Sequence, residues 1–200
     1  MSKRGIMSPI VNFYISSGTD LQGRSLSDML AMTDEQLERT HDVVQWAFPL
    51  NEESKHNRNA PVLTEADITA LASPQGRYQY IQAVDRFLAF YGMEKVRKDN
   101  DPELEVVSIV PSIDFDKQAQ WLTAGNHNLK RITRIIRCAI LLGRQDVAEI
   151  LRDGFSHLAE HPLGQKALDK STLQYWNDAV SLPFDQKLNV SPLVRKIFRT

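Results

Sequence analysis

Apolar residues recur along this chain with the three-and-four spacing of helices rather than the alternation of strands. Over 126–142, at about 100° per residue, Leu129, Ile132, Ile135, Ile136, Ala139 and Ile140 fill one side, with Lys130, Arg134 and Arg137 opposite. Over 78–91, the residues Tyr78, Tyr80, Ile81, Ala83, Val84, Phe87, Leu88, Phe90 and Tyr91 leave only a narrow polar arc at Gln79, Gln82, Asp85 and Arg86. A helix apolar over most of its circumference is predicted to be central.

Start and stop signals bound these and further helices. Thr33 with Gln36 forms a capping box, so the spacing predicts one helix over 33–46, stopped where Pro49 disfavours helical geometry in Phe48. A polar loop, 51–59, follows. Thr64 with Asp67 opens a short helix, Ser73-Pro74 opens the central one, and Gly92 closes it. Further helices are predicted over 116–124, 126–142, 145–159 and 165–180. The stretch 93–115 breaks the pattern with Asp99-Asn100-Asp101-Pro102 and then the β-branched run Val106, Val107, Ile109 and Val110. It reads as one long irregular, mobile loop with at most one short strand. The sequence thus predicts an all-α, single-domain multi-helix bundle. Residues 1–10 are expected to be a flexible N-terminus and 11–180 the helical domain. Residues 181–200 are expected to form a tail that docks through Leu193, Val194, Ile197 and Phe198.

Composition narrows the function classes. The 200 residues, 42 % hydrophobic, suffice for a packed core, and 24 Lys plus Arg balance 25 Asp plus Glu. A neutral chain has no global field to draw it onto nucleic acid or an anionic membrane. The lone Cys138 cannot form an intramolecular disulfide and suits a reducing compartment. The N-terminus lacks the apolar stretch of a signal peptide, and no window is apolar enough to span a bilayer. No membrane insertion and a cytoplasmic location are therefore expected.

The candidate chemistry is local. His127, Arg131 and Arg134 form a row along the helix over 126–142, and Asn126 or Asn128 can cap its start. Free N–H groups, an imidazole and two guanidinia have the composition of an anion site, although such arginines also bridge to carboxylates of neighbouring helices. His41 is expected in the apolar stripe of Leu37 and Val44, desolvated and hydrogen-bonded, beside Gln45 and Trp46. His157-Leu158-Ala159-Glu160-His161 spells the inverted zinc-protease string. The further glutamate ligand is missing downstream, and Pro162 ends the helix. No Gly-rich phosphate loop, nucleophile elbow or Cys-x-x-Cys occurs, and neither metal nor other cofactor is implied.

Two segments, His41-Asp42-Val43-Val44-Gln45-Trp46-Ala47-Phe48-Pro49-Leu50 and Asn126-His127-Asn128-Leu129-Lys130-Arg131-Ile132-Thr133-Arg134-Ile135-Ile136, resemble the conserved domain of the opioid growth factor receptor family. The likeness extends in order through Phe13-Tyr14, 24–30, Leu37-Glu38, 60–64 and 87–92, covers roughly 11–180, and lapses over 93–120. It implies a short, stand-alone, microbial member. His41, Gln45, Trp46, His127, Asn128, Arg131 and Arg134 all fall at motif positions, which makes them the candidate ligand-binding residues. The family name implies opioid-peptide binding and, in a eukaryote, a nuclear or perinuclear location. From the residues themselves, the expected partner is an anionic small molecule, a peptide or a protein. A metal-assisted enzyme using His41 and His127 is one alternative. Nucleic-acid binding through the Lys130, Arg131, Arg134 and Arg137 face is the other, disfavoured by the neutral net charge.

Overall fold

Serine, threonine and asparagine side chains open the helices where their spacing predicts. In a computed structural model, the described residues are 7–55, 57–100, 105–183, 186 and 188. Among them the order is α1 (Pro9–Ile15), α2 (Leu26–Leu30), α3 (Asp34–Arg39), α4 (Val43–Ala47), α5 (Glu65–Leu71), α6 (Pro74–Phe90), β1 (Met93–Arg97), β2 (Val106–Pro111), α7 (Phe115–Gln118), α8 (His127–Leu141), α9 (Gln145–His157), α10 (Pro162–Ala167) and α11 (Lys170–Ser181). Both arms of the capping box are present at Thr33/Gln36 and at Thr64/Asp67, Ser73 caps α6, and Asn126 caps α8. The tail positions Leu193, Val194, Ile197 and Phe198, and residues 1–6, lie outside the described residues.

The fold is mostly helical rather than purely so. Where an irregular loop was expected over 93–115, β1 and β2 pair antiparallel, with Met93 opposite Pro111 and Lys95 opposite Ile109. The β-branched run favours the pleated conformation, and Gly92, at φ 70°, turns the chain out of α6 into β1. The hairpin is then anchored by one cross-strand pair: Lys95 Nζ reaches Asp85 of α6 at 2.7 Å, and Ile109 seats against Gly154 of α9. Tertiary packing outweighs the loop-like composition of 98–102 in fixing the pairing.

The helix expected over 33–46 is two. Thr40 takes an extended conformation (φ −97°, ψ 91°), and the Asp42 carboxylate, which could have capped α4, instead accepts a 2.7 Å hydrogen bond from Arg24. The break takes His41 out of the apolar stripe and leaves it exposed, correcting the expectation of a desolvated core histidine. Leu37 and Val44 on either side remain buried.

The core runs through α6 and α8. Phe48 meets Tyr80 and Phe87 edge-on, and Tyr91, Trp121, Phe155 and Trp176 continue as a chain of tilted and edge-on rings. Leu129, Ile132, Ile136, Phe87 and Leu88 are buried as their spacing predicts. Helix α8, however, is not the two-faced helix of its sequence pattern. Arg137, placed on the polar side, is 1 % exposed, and Arg131 is 5 % exposed.

Two substitutions test this packing. Ile136→Ala should lower unfolding free energy by about 2–5 kcal/mol in urea titration, the cost of a large aliphatic side chain lost from a core. A Cβ on Gly154 would sit 2.1 Å from Ile109 Cγ1 and 2.8 Å from its carbonyl oxygen, so rotamer change alone cannot relieve it. Overpacking of about 2–3 kcal/mol should exceed the ~1 kcal/mol that alanine gains in a helix, so Gly154→Ala should destabilise by about 1–2 kcal/mol. A neutral or stabilising result would mean that β2 does not lie on α9.

Candidate functional site

Short helices create an unusual demand for hydrogen-bond donors. The last four carbonyls of any helix lack intrahelical partners, and α2, α3 and α4 are only five, six and five residues long. Arginines meet much of this demand. Arg131 donates to Leu37 O (3.1 Å) and reaches Glu38 O (3.5 Å) in the last turn of α3. Arg134 donates through Nε to Phe48 O (2.8 Å), at the end of α4. Arg137 donates to Leu182 O, Pro183 O and Gln186 O, each at 2.6 Å, just beyond α11. Outside α8, Arg86 holds Met32 O and Arg77 holds Leu142 O in the same manner. Cationic donors at the negative ends of helix dipoles are favourable on both counts.

Of the four residues expected to hold an anion, Asn128 and Arg131 therefore lie in the interior, and Arg134 is half-buried. Asn128 is fully buried, donates through Nδ2 to Glu38 Oε2 (2.8 Å) and accepts from Arg131 Nη1 (3.1 Å). Burial lowers the Arg131 pKa against the pull of Tyr91 and Glu38, and takes that of Arg134 down to about 10, which leaves Arg134 cationic at neutral pH. Arg134 Nη2 is buried with no hydrogen-bond partner. The basic face proposed for nucleic acid does not form a solvent surface: of its four members only Lys130 is exposed.

His127, at the first turn of α8, is half-exposed and packs against His41, ring centroids 5.2 Å apart. Its Nε2 lies 3.4 Å from Glu38 Oε1, without the alignment of a hydrogen bond. Burial, reinforced by Arg131 and by His41 and opposed by Glu38, holds its pKa below the ordinary 6.5.

The remaining candidates meet elsewhere. His41, Gln45 and Trp46 line a cleft of about 330 Å³ together with Leu21, Gln22, Asp42, Asn57 and Asn59. Gln45 is the strut of its far wall, donating to Ser54 Oγ (3.0 Å) and accepting from Asn57 Nδ2 (2.5 Å), and so ties the loop after α4 back onto that helix. Trp46 is core on one side, edge-on to Phe13 at 5.2 Å. Leu21, Gln22, Asn57 and Asn59 were missed from sequence. The one available signal was the asparagine-rich composition of 51–59 next to Gln45. Among the described residues, no group of three or more His, Cys, Asp or Glu is placed to hold a metal. His161 of the zinc-protease string caps α10, accepting from Leu163 N at Nδ1, with Nε2 3.3 Å from Asp116.

These features define a class: a mostly helical domain around a central arginine-bearing helix, with a small polar cleft where α4 meets two loops. Residues 12–197 match the model of the opioid growth factor receptor conserved region, and the chain belongs to that family. It is 29 % identical over 147 residues to the mouse opioid growth factor receptor, covering 72 % of this chain and 22 % of that protein. Rat opioid growth factor receptor-like protein 1 is 26 % identical over 145 residues (71 % and 29 %), and the Xenopus tropicalis protein of the same name 32 % over 113 (56 % and 20 %). The chain thus spans under a third of each relative's length. No solved structure matches it.

Two outcomes follow from the geometry. Arg131→Met keeps the aliphatic packing but strands Leu37 O and the Asn128 amide, so chemical denaturation should show a loss of about 2–3 kcal/mol. A loss below about 0.5 kcal/mol would mean that these bonds do not hold α3 to α8. The unfolded chain takes a proton on His127 more readily than the folded one, with Glu38, His41 and Arg131 facing the ring. Stability is therefore full above pH 6.5 and should decline as pH falls through that value, a slope that His127→Gln flattens in melting curves. Stability rising on acidification over that range would reverse the sign argued here.

Proposed function

We propose that this chain is a binding module that takes a short extended polypeptide segment in the cleft between α4 and the loops at 20–24 and 51–59. The observation that carries this reading is the lining. Four side-chain amides, of Gln22, Gln45, Asn57 and Asn59, surround the space together with the His41 imidazole. Each amide both donates and accepts, which is the pattern a peptide backbone presents. No arginine or lysine lines the cleft, and Asp42 does, so the chemistry disfavours an anion there. A volume of about 330 Å³ admits one or two residues of an extended segment. The name of the mouse relative, opioid growth factor receptor, agrees with a polypeptide ligand.

In this reading the anion-site residues act at one remove. Arg131, Asn128 and Arg134 fix α3 and the end of α4 from behind, while His41, Gln45 and Trp46 form the surface that the ligand meets. His127 buttresses His41 through the ring contact. The test is an NMR titration of the isotope-labelled chain with capped tripeptides of mixed sequence. Amides at 21–22, 41–46 and 57–59 should shift together, and Gln22→Ala with Asn59→Ala should weaken the effect about tenfold, the size of one or two lost hydrogen bonds. Absence of shifts there, or shifts centred on α8, would overturn the assignment.

A further inference from the structure

Leu21 stands at the rim of this polar cleft with 65 % of its surface exposed. A large aliphatic side chain in that position is not left there by a slack loop. The turn that carries it is closed by Asp20 N donating to Arg24 O (2.8 Å) and Gly23 N to Asp20 O (3.1 Å), with Gly23 at φ 78°. The Asp20 carboxylate, fully buried, accepts from the backbone of Gln22 and Arg24 through Oδ1 and from Arg24 Nε through Oδ2. Arg24 Nη2 then crosses to Asp42 Oδ2 at 2.7 Å, joining the turn to the opposite lining residue. Burial works against the Arg24 charge, but Asp20 and Asp42 outweigh it and raise its pKa.

We infer that Leu21 is the specificity-determining residue of the cleft, selecting a ligand with an apolar side chain next to its hydrogen-bonded backbone, and that Arg24 is its positioning residue. This rests on the peptide-binding reading. A rigid turn that holds an exposed leucine beside the Trp46 wall presents apolar area without an ordering cost on binding, the property of an interface anchor. Only an apolar partner gains by covering it, because a polar side chain would lose its hydration there and find no donor or acceptor on Leu21. The ion-paired Arg24 sets where that leucine sits relative to the amides and makes no contact with the ligand itself.

The experiment compares two uncharged probes, the capped tripeptides acetyl-Gly-Leu-Gly-amide and acetyl-Gly-Ser-Gly-amide, by NMR titration of the whole chain. Wild type should bind the leucyl peptide about tenfold more tightly, the equivalent of burying most of one aliphatic side chain. Leu21→Ala should bring the two affinities together by weakening only the leucyl peptide. Arg24→Met and Asp42→Asn should also erase the preference with Leu21 intact. A purely structural role for Arg24 would instead weaken both peptides alike and preserve their ratio. Equal affinity of both peptides for wild type, or a preference that survives in Leu21→Ala, would overturn the inference while leaving the cleft a peptide site. Failure of both peptides to shift any cleft amide would remove the peptide reading and this inference together.

Discussion

Helix ends leave carbonyls without intrahelical partners, and among the described residues many helices are only four to seven residues long, so this domain has many such carbonyls to satisfy. The chain meets this demand with long cationic donors. Arg131, Arg134 and Arg137 are spaced along α8 so that each meets the end of a different element, α3, α4 and α11 in turn. Helix α8 is accordingly a strut: its leucine and isoleucines bind it into the core, and its guanidinia gather the ends of its neighbours around it. Tyrosine and tryptophan extend the scheme, since Tyr14 donates to Ala47 O at the end of α4 and Trp121 to Tyr91 O at the end of α6.

This constraint explains how the cleft comes to exist. With α3 held through Glu38 and Arg131, and α4 through Phe48 and Arg134, the break at 40–42 is braced on both sides and can expose His41 without loosening the chain. Gln45 then projects from a fixed α4 to hold Ser54 and Asn57, and Asp42 is free to pair with Arg24. The residues that make the surface and those that brace it are different sets, joined at the His41–His127 ring contact.

Much of this fold was legible in the sequence because helix starts are written locally. Thr33, Thr64, Ser73 and Asn126 open helices as read, and Leu37, Val44, Phe87, Leu88, Leu129, Ile132 and Ile136 are buried as expected. The hairpin was not legible: the β-branched run of 106–110 signals one strand, but its partner, 93–97, has a polar composition, and the contacts that hold the pair, Lys95 on Asp85 and Ile109 on Gly154, join residues distant in the chain. The break after α3 escaped for a similar reason, as the partner that draws Asp42 away lies eighteen residues upstream at Arg24. For the site, the requirement for electron-rich partners around Arg131 and Arg134 was readable, but their identity was not. Backbone carbonyls carry no sequence signature, so helix ends in the interior and an anion in solution predict the same row of arginines.

Those two possibilities part in one measurement: melting temperatures of wild type and Arg131→Ala over a range of phosphate concentrations. If Arg131 serves the end of α3, the variant melts lower at every concentration, and phosphate moves both proteins by the same amount. If instead phosphate raises the wild-type melting temperature and leaves the variant unmoved, then an anion bound to the native state is the partner of Arg131, and the strut account of α8 is wrong.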